Sequence, residues 1–273
     1  MRRLPGIAAL AERYEGFLLD QWGVLHDGRA AYPGAIDALR RLRALGKRVV
    51  VISNSGRRSA ANVATMDQLG FARELWDDLV SAGEDAWRSL KMKPPGRRPH
   101  VIDKAGERGL LVGLNLVPAA DVGNADFLLT LGIDEPDLAA YDRRLEEALH
   151  RDLLMVCANP DHWRYAEDGS LLPASGALAD RYEAMGGRVV RHGKPYAPIY
   201  ETCLASLGVA KERTVAIGDS MPHDVAGAKG VGVAAALVTL GVHAGELGAA
   251  PDDDAIRRLG EPLPDWVLPR FVW

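Results

Sequence analysis

The sequence predicts an α/β protein built on a parallel sheet, with a second α/β unit inserted into the first. Two observations carry this reading. Short β-branched runs alternate with helical apolar patterns, and each intervening stretch is long enough for a crossover between parallel strands. The alternation is regular near both ends of the chain and loses its regularity in between. The expected division is therefore a discontinuous core of residues 1–80 and 189–273 around an inserted unit of residues 81–188.

Each element has a local reason. Ile7 to Tyr14 reads as a short helical lead-in, and Phe17-Leu-Leu19 as a buried strand ending at Asp20. Pro33-Gly34 opens a helix in which Ile36, Leu39, Leu42 and Leu45 recur at three-residue steps, and Gly46 stops it. Arg48 to Ile52 is the next strand, ending at Ser53-Asn-Ser-Gly56, and Ser59 to Leu69 the next helix. These two strands form a βαβ unit with their carboxyl ends side by side. Lys91 to Pro99 is a basic, Pro-rich connector that reads as a solvated loop. Within the insertion, His100 to Asp103, Phe127 to Thr130 and Leu153 to Cys157 read as strands, and Leu138 to Arg151 as an amphipathic helix. The first pattern then returns. Arg188-Val-Val-Arg191 leads to His192-Gly-Lys-Pro195, Ile199 to Leu207 is a helix closed by Gly208, and Arg213 to Gly218 leads to Asp219-Ser-Met-Pro-His-Asp224. Ala234 to Leu240 is a further strand, and the apolar tail Pro264 to Trp273 suits an edge strand.

Composition excludes several classes. The chain has 273 residues, 48% hydrophobic and 26% charged, with a net charge of −4. These are ordinary globular values, and the charge gives no reason to expect nucleic acid or an anionic membrane as partner. Cys157 and Cys203 form no zinc or Cys-x-x-Cys pattern, which suits a reducing compartment. The basic start, Met1-Arg-Arg3, lacks the apolar run of a secretory signal, and no run approaches the roughly 18 residues of a membrane span. A cytoplasmic location is the expectation.

Polar residues gather at the expected strand ends: Asp20, Ser53 with Asn54, Lys194, and Asp219 with Asp224. Singly, each has a plain structural use. A carboxylate after a strand often caps a helix, and a turn serine often only forms the turn. Four such ends in one sheet are hard to explain as structure alone.

The order and local sequences resemble the haloacid dehalogenase superfamily, in its class IIA, NagD-like branch of sugar, nucleotide and p-nitrophenyl phosphatases. The resemblance spans about Tyr14 to Val267. Leu18-Leu-Asp-Gln-Trp-Gly-Val-Leu25 is similar to the first motif, Val51-Ile-Ser-Asn-Ser-Gly56 to the second, Gly193-Lys-Pro195 to the lysine motif, and Gly218-Asp-Ser to Asp224 to the acidic motif. Ala158-Asn-Pro-Asp161 through Leu178 resembles the late cap segment, and insertion after the second motif points to class II. The resemblance implies a three-layer Rossmann-like core with an α/β cap, and a hydrolase acting on a small phosphorylated metabolite. It assigns Asp20 as a nucleophile that forms an aspartyl-phosphate. Ser53, Asn54 and Lys194 would hold the phosphoryl oxygens. Mg²⁺ would sit on Asp20, Asp219, Asp224 and the backbone carbonyl of Trp22, since it prefers oxygen ligands.

One position departs from the pattern. The family's phosphatases carry a second Asp, a general acid and base, where this chain has Trp22, and an indole N–H does not titrate usefully. Three readings follow: a Mg²⁺-dependent phosphohydrolase with a substitute acid or an easy leaving group; another reaction of the superfamily, such as C–P cleavage; or a non-catalytic binder of a phosphorylated ligand. His26, Asp27 and His223 are the nearest substitutes in sequence. In the cap, Asn159, His162 and Trp163 are expected to read the substrate, together with Arg164, by stacking or pairing. The alternative is that Trp163 and Tyr165 pack a small core of their own unit. By analogy with the branch, the cap is also the expected homodimer surface.

Overall fold

The structure, a computed structural model, describes residues 1–104, 108–165, 170–248 and 251–273. Its strands, in chain order, are β1 (Arg2–Arg3), β2 (Gly16–Asp20), β3 (Arg48–Ser53), β4 (Asp78–Ser81), β5 (Pro99–Ile102), β6 (Phe127–Thr130), β7 (Leu154–Cys157), β8 (Trp163–Tyr165), β9 (Leu171–Pro173), β10 (Arg188–Arg191), β11 (Thr214–Gly218), β12 (Ala234–Val238) and β13 (Trp266–Leu268). The chain divides into two compact units. The first comprises Met1–Ser53, Ala60–Val80 and Lys194–Trp273, the second Asn54–Ser59 and Ser81–Gly193.

The first unit carries a seven-stranded sheet in the order β1-β13-β12-β11-β2-β3-β4. Neighbours from β1 through β3 are parallel. Side-chain alternation explains the layering. Phe17, Leu19, Val49, Val51, Val215 and Ile217 enter one apolar cluster, while Leu18, Val50, Ile52 and Ala216 enter another. Both faces are covered, so the central strands read as continuous apolar runs rather than alternating ones. Helices Ala8–Arg13, Ala35–Ala44 and Ser59–Gln68 supply Leu10, Leu39, Leu42 and Met66 to the first cluster. Helix Ala197–Leu207 supplies Ile199, Tyr200, Cys203 and Leu207 to the second. Leu45, expected on the apolar stripe, is exposed, because it lies one residue past the last turn of its helix.

The second unit has a four-stranded parallel sheet, β10-β7-β6-β5, and an antiparallel hairpin, β8–β9. Its two faces are also buried: Leu128, Met155 and Cys157 lie in one cluster, Phe127, Leu129 and Val156 in another. The segment expected as one helix, 138–151, is a 3-10 turn (Leu138–Tyr141) followed by an α-helix (Asp142–His150).

Three expectations change. Strand Arg188–Arg191 was expected in the same sheet as the Asp20 strand, but it pairs with β7 in the second sheet, from Arg188 with Leu154 to Arg191 with Cys157. It is the edge there, with Val190 exposed, and a strand flanked by arginines suits an edge better than a sheet buried on both faces. Lys194 therefore follows a strand of the other sheet. Next, β4 joins the first sheet at the margin of the irregular region, where its sequence, Asp-Leu-Val-Ser, is too short to announce itself. Finally, the tail strand β13 is not an edge, because β1 pairs outside it.

No helix among the described residues is long and apolar enough to cross a membrane. Cys157 and Cys203 are buried and neither forms a disulfide, and burial pushes the Cys157 thiol up to about 12.

Candidate functional site

Strand register brings the site together. Asp20 pairs with Ile52, and Leu19 with Ile217. Asp20, Ser53 and Asp219 thus leave three neighbouring strands at the carboxyl edge, where open α/β sheets bind ligands. A concavity of about 640 Å³ lies at the opposite edge, against Ala234 and Trp266, the first residues of β12 and β13, and has no part in this cluster.

Lys194 is the hub. Its Nζ lies 2.7 Å from Asp20 Oδ1 and 2.8 Å from Asp224 Oδ1. The backbone N–H of Gln21 also donates to Asp20 Oδ1, at 2.7 Å. The Ser220 amide donates to Asp224 Oδ2, and the Val242 amide to Asp219 Oδ2 at 2.7 Å. Oxygens of Asp20, Asp219 and Asp224 approach one another within 4.8 Å, and all three residues are buried. Their charges set the ionisation. Burial, then Asp224, raises the Asp20 carboxyl well above its usual range against the pull of Lys194. Burial and Asp224 hold Asp219 up at about 6. Burial alone would lower the Lys194 ammonium, but Asp20 and Asp224 outweigh it and keep it well above its ordinary value.

Close packing by glycines makes the cluster possible. A β-carbon on Gly218 would lie 2.0 Å from the Asp224 carboxyl carbon, and one on Gly241 2.3 Å from Asp219 Oδ2. Gly241 and Val242, which together wall and anchor Asp219, were not singled out in the sequence. Nor was Tyr200, a buried phenol that donates to the carbonyls of His223 and Asp224, at 3.0 and 3.2 Å, and so braces the acidic loop from behind. A tyrosine inside an apolar helix gives no sequence signal for that role.

The fit to a divalent cation can be judged from the donor set. Three carboxyl groups and one ammonium, once the carboxyls are deprotonated, leave two negative charges in a buried site. Hard oxygen donors at this spacing suit a cation such as Mg²⁺ or Ca²⁺.

Ser53, the last residue of β3, is buried beside this cluster's strand ends. Asn54 begins the second unit, and its Nδ2 donates to Asp161 Oδ1 at 2.7 Å. Trp22 is 41% exposed, and its indole lies against Gly28, whose added β-carbon would sit 3.0 Å from Nε1.

Two of the three substitutes for the missing acid, His26 and Asp27, are engaged in their own turn, while for His223 the structure gives backbone contacts. The Gly28 amide donates to His26 Nδ1 at 2.9 Å, and burial lowers the imidazole to about 4, so His26 is a neutral turn residue. The Asp27 carboxylate accepts the amides of Arg29 and Ala30, which lower its pKa. The His223 carbonyl accepts from Tyr200.

In the second unit, Asn159 Oδ1 accepts the Asp161 amide, and His162 Nε2 pairs with Asp180 Oδ2 at 2.7 Å. Trp163 is 61% exposed and packs no core. The side chain of Tyr165 lies outside the described residues.

Comparison with known proteins agrees with this geometry. The family profile of haloacid dehalogenase-like hydrolases matches residues 17–116, and a second profile, HAD-hydrolase-like, matches residues 191–265. Human (Homo sapiens) chronophin is 31% identical over 257 residues, 88% of this chain and 86% of that protein. The chain belongs to the haloacid dehalogenase-like hydrolases, in their class IIA phosphatase branch. Glycerol-3-phosphate phosphatase of Gallus gallus is 30% identical, over 88% of this chain and 85% of that protein. A crystal structure of a haloacid dehalogenase-like hydrolase from Brucella suis 1330 superposes with a TM-score of 0.86 at 29% identity, covering 98% of this chain and 100% of that one. Both matched profiles reach the core elements that carry Asp20 and Asp219, and the second begins at Arg191, just before the lysine motif.

Proposed function

We propose that this hydrolase is a Mg²⁺-dependent phosphatase of a small phosphorylated metabolite, working through an aspartyl-phosphate on Asp20. The observation that carries it is the bridging of Asp20 and Asp224 by the buried Lys194, with Asp219 alongside. A binding protein has no need of a nucleophile so arranged.

Lys194 and the Gln21 amide both hold Asp20 Oδ1, which fixes the carboxylate and leaves Oδ2 to attack phosphorus in line with the leaving oxygen. The charge of Lys194 offsets repulsion between Asp20 and an anionic substrate. The Ser53 hydroxyl and the amides at Asn54 suit the remaining phosphoryl oxygens. Asp20, Asp219, Asp224 and the Trp22 carbonyl would hold the cation, which when bound neutralises charge on the phosphoryl oxygens. Hydrolysis of the aspartyl-phosphate by water returns the free Asp20 carboxylate. Asp20 and Asp219 must be ionised for attack and for metal binding, and Lys194 favours that state.

Trp22 cannot protonate the departing oxygen. With His26 neutral and buried and Asp27 occupied by its own turn, the substrates turned over best are those whose leaving group is already a weak base. Glycerol 3-phosphate, the substrate in the name of the avian relative, has an alkoxide leaving group, whereas p-nitrophenyl phosphate does not need the acid.

The test is Mg²⁺-dependent phosphate release from a panel of phosphomonoesters, for the native protein and Asp20→Asn. Release from at least one ester, lost in Asp20→Asn, is the expected result. Activity that survives this substitution removes Asp20 as nucleophile. Tight ester binding without release from any member of the panel would leave a binding role.

A further inference from the structure

The second unit contains a cavity of about 150 Å³ whose lining includes Arg57, Lys104, Asn159, Arg164 and Ser175. Among the described residues that line it there are three cationic side chains and no carboxylate.

Two of its polar groups are buried without a partner. Ser175 is 1% exposed, and its Oγ has no hydrogen-bond partner. Arg164 Nε is buried and equally unpartnered. Buried polar groups in folded proteins are nearly always paired, so a hydroxyl and a guanidinium N–H left open in one cavity mark a place for an acceptor. Ser175 is also the first residue of the ten-residue helix Ser175–Ala184, and Ala174 before it offers no side-chain cap. The helix start adds partial positive charge at the same wall.

Arg57 is held by its backbone, whose carbonyl accepts from Ser81 Oγ at 2.6 Å. The neighbouring cation Arg58 is spent differently: it forms a two-pronged pair with Glu84 and lies 3.9 Å from the Trp87 ring centre. Arg164 is on the short hairpin β8–β9, where successive side chains face opposite ways, so the exposed Trp163 and the cavity-lining Arg164 separate to opposite faces. Cations, a hydroxyl and a helix start meet at this cavity with no carboxylate among its described lining residues, and the space is below that of a whole-metabolite pocket.

We propose that this cavity binds one small anionic group, a carboxylate or a phosphoryl group. Resting on the phosphatase reading above, one source of that anion is a phosphorylated substrate that carries a second anionic group. The same chemistry would also accept a separate small anion, and the experiment distinguishes the two sources.

Asp20→Asn protein with Mg²⁺, which holds esters without turning them over, is titrated calorimetrically with 3-phosphoglycerate, with glycerol 3-phosphate and with malonate. The same titrations are repeated after adding Arg164→Gln, Arg164→Lys or Ser175→Ala, with circular dichroism to verify the fold. If the second anion belongs to the substrate, 3-phosphoglycerate binds about tenfold or more tightly than glycerol 3-phosphate. That ratio then falls towards one with Arg164→Gln and Ser175→Ala and is largely restored with Arg164→Lys. If the anion is separate, malonate binds at one site, the ester ratio stays near one, and Arg164→Gln abolishes malonate binding. Folded Arg164→Gln protein that changes neither the ratio nor malonate binding overturns the proposal. Failure of both esters to bind counts against the phosphatase reading instead, and malonate still tests the cavity.

Discussion

A β-carbon on Gly23 would lie 1.9 Å from Asp219 Oδ2. The first motif and the acidic motif, nearly two hundred residues apart, are thus in direct contact through the bare backbone of one glycine. Gly23 also has φ +86°, a conformation L side chains rarely adopt. Gly23→Ala is expected to displace Asp219 and weaken Mg²⁺ affinity by about tenfold or more, roughly one lost charge-assisted contact. Calorimetric titration with Mg²⁺ checks it. Unchanged affinity would mean that Asp219 is not a ligand.

Lys194 is the sole ammonium in contact with Asp20 and Asp224 among the described residues. Lys194→Met leaves buried carboxylates without their cation. Breaking a buried pair from one side costs about 3–5 kcal/mol. Urea unfolding of the metal-free protein at pH 7 should show a loss of that order, shrinking near pH 4 as the carboxyls take up protons. A midpoint that does not move would show that Lys194 contributes little to the fold. Phosphate release should fall with it.

The raised carboxyls give a pH dependence of definite sign. Asp219 is held at about 6 against an ordinary 3.8, and Asp20 is raised as well. A carboxyl raised in the folded state stabilises it while protonated. That contribution is full below the unfolded value and is lost as pH rises through the folded one. For Asp219 a shift of about two units corresponds to on the order of 3 kcal/mol. The metal-free protein should therefore lose thermal stability between roughly pH 4 and pH 7 relative to Asp219→Asn. Mg²⁺ affinity should rise through the same window, because binding displaces the protons. Parallel melting curves for the two proteins would contradict the linkage.

Trp22 makes the leaving group decisive. Trp22→Asp should raise turnover of an alkyl phosphate relative to p-nitrophenyl phosphate by about 10²–10⁴-fold, the usual worth of a general acid. Trp22→Phe should leave that ratio where it is. If Trp22→Asp lowers both rates alike, the indole has a positive role in the site.

Much of the candidate site was legible because its residues lie in short, contiguous signals. Asp20 ends an apolar run, Ser53 ends another, and Gly218-Asp219 ends a third. Period-two burial and crossover length then suffice to place these ends together. Lys194 was expected to follow a strand of the Asp20 sheet, but Arg188–Arg191 looks the same whichever sheet it joins, and the strand before Lys194 belongs to the other one. Gly241, Val242 and Tyr200 were invisible. They act through a backbone amide, a missing side chain and a hydroxyl aimed at two carbonyls, none of which leaves a pattern along the chain.

By itself, then, the sequence determined the α/β class, the buried strands and the polar residues at their ends, since hydrophobic periodicity and turn chemistry are local properties of a chain. The tertiary structure alone decided which sheet claims a strand, which oxygen of Asp20 the lysine holds, and that His26 is a neutral turn residue rather than an acid. It also gathered Arg57, Lys104, Arg164 and Ser175 around one cavity. Those are consequences of pairing, burial and Coulomb interaction between residues far apart in sequence, and they exist only once the chain has folded.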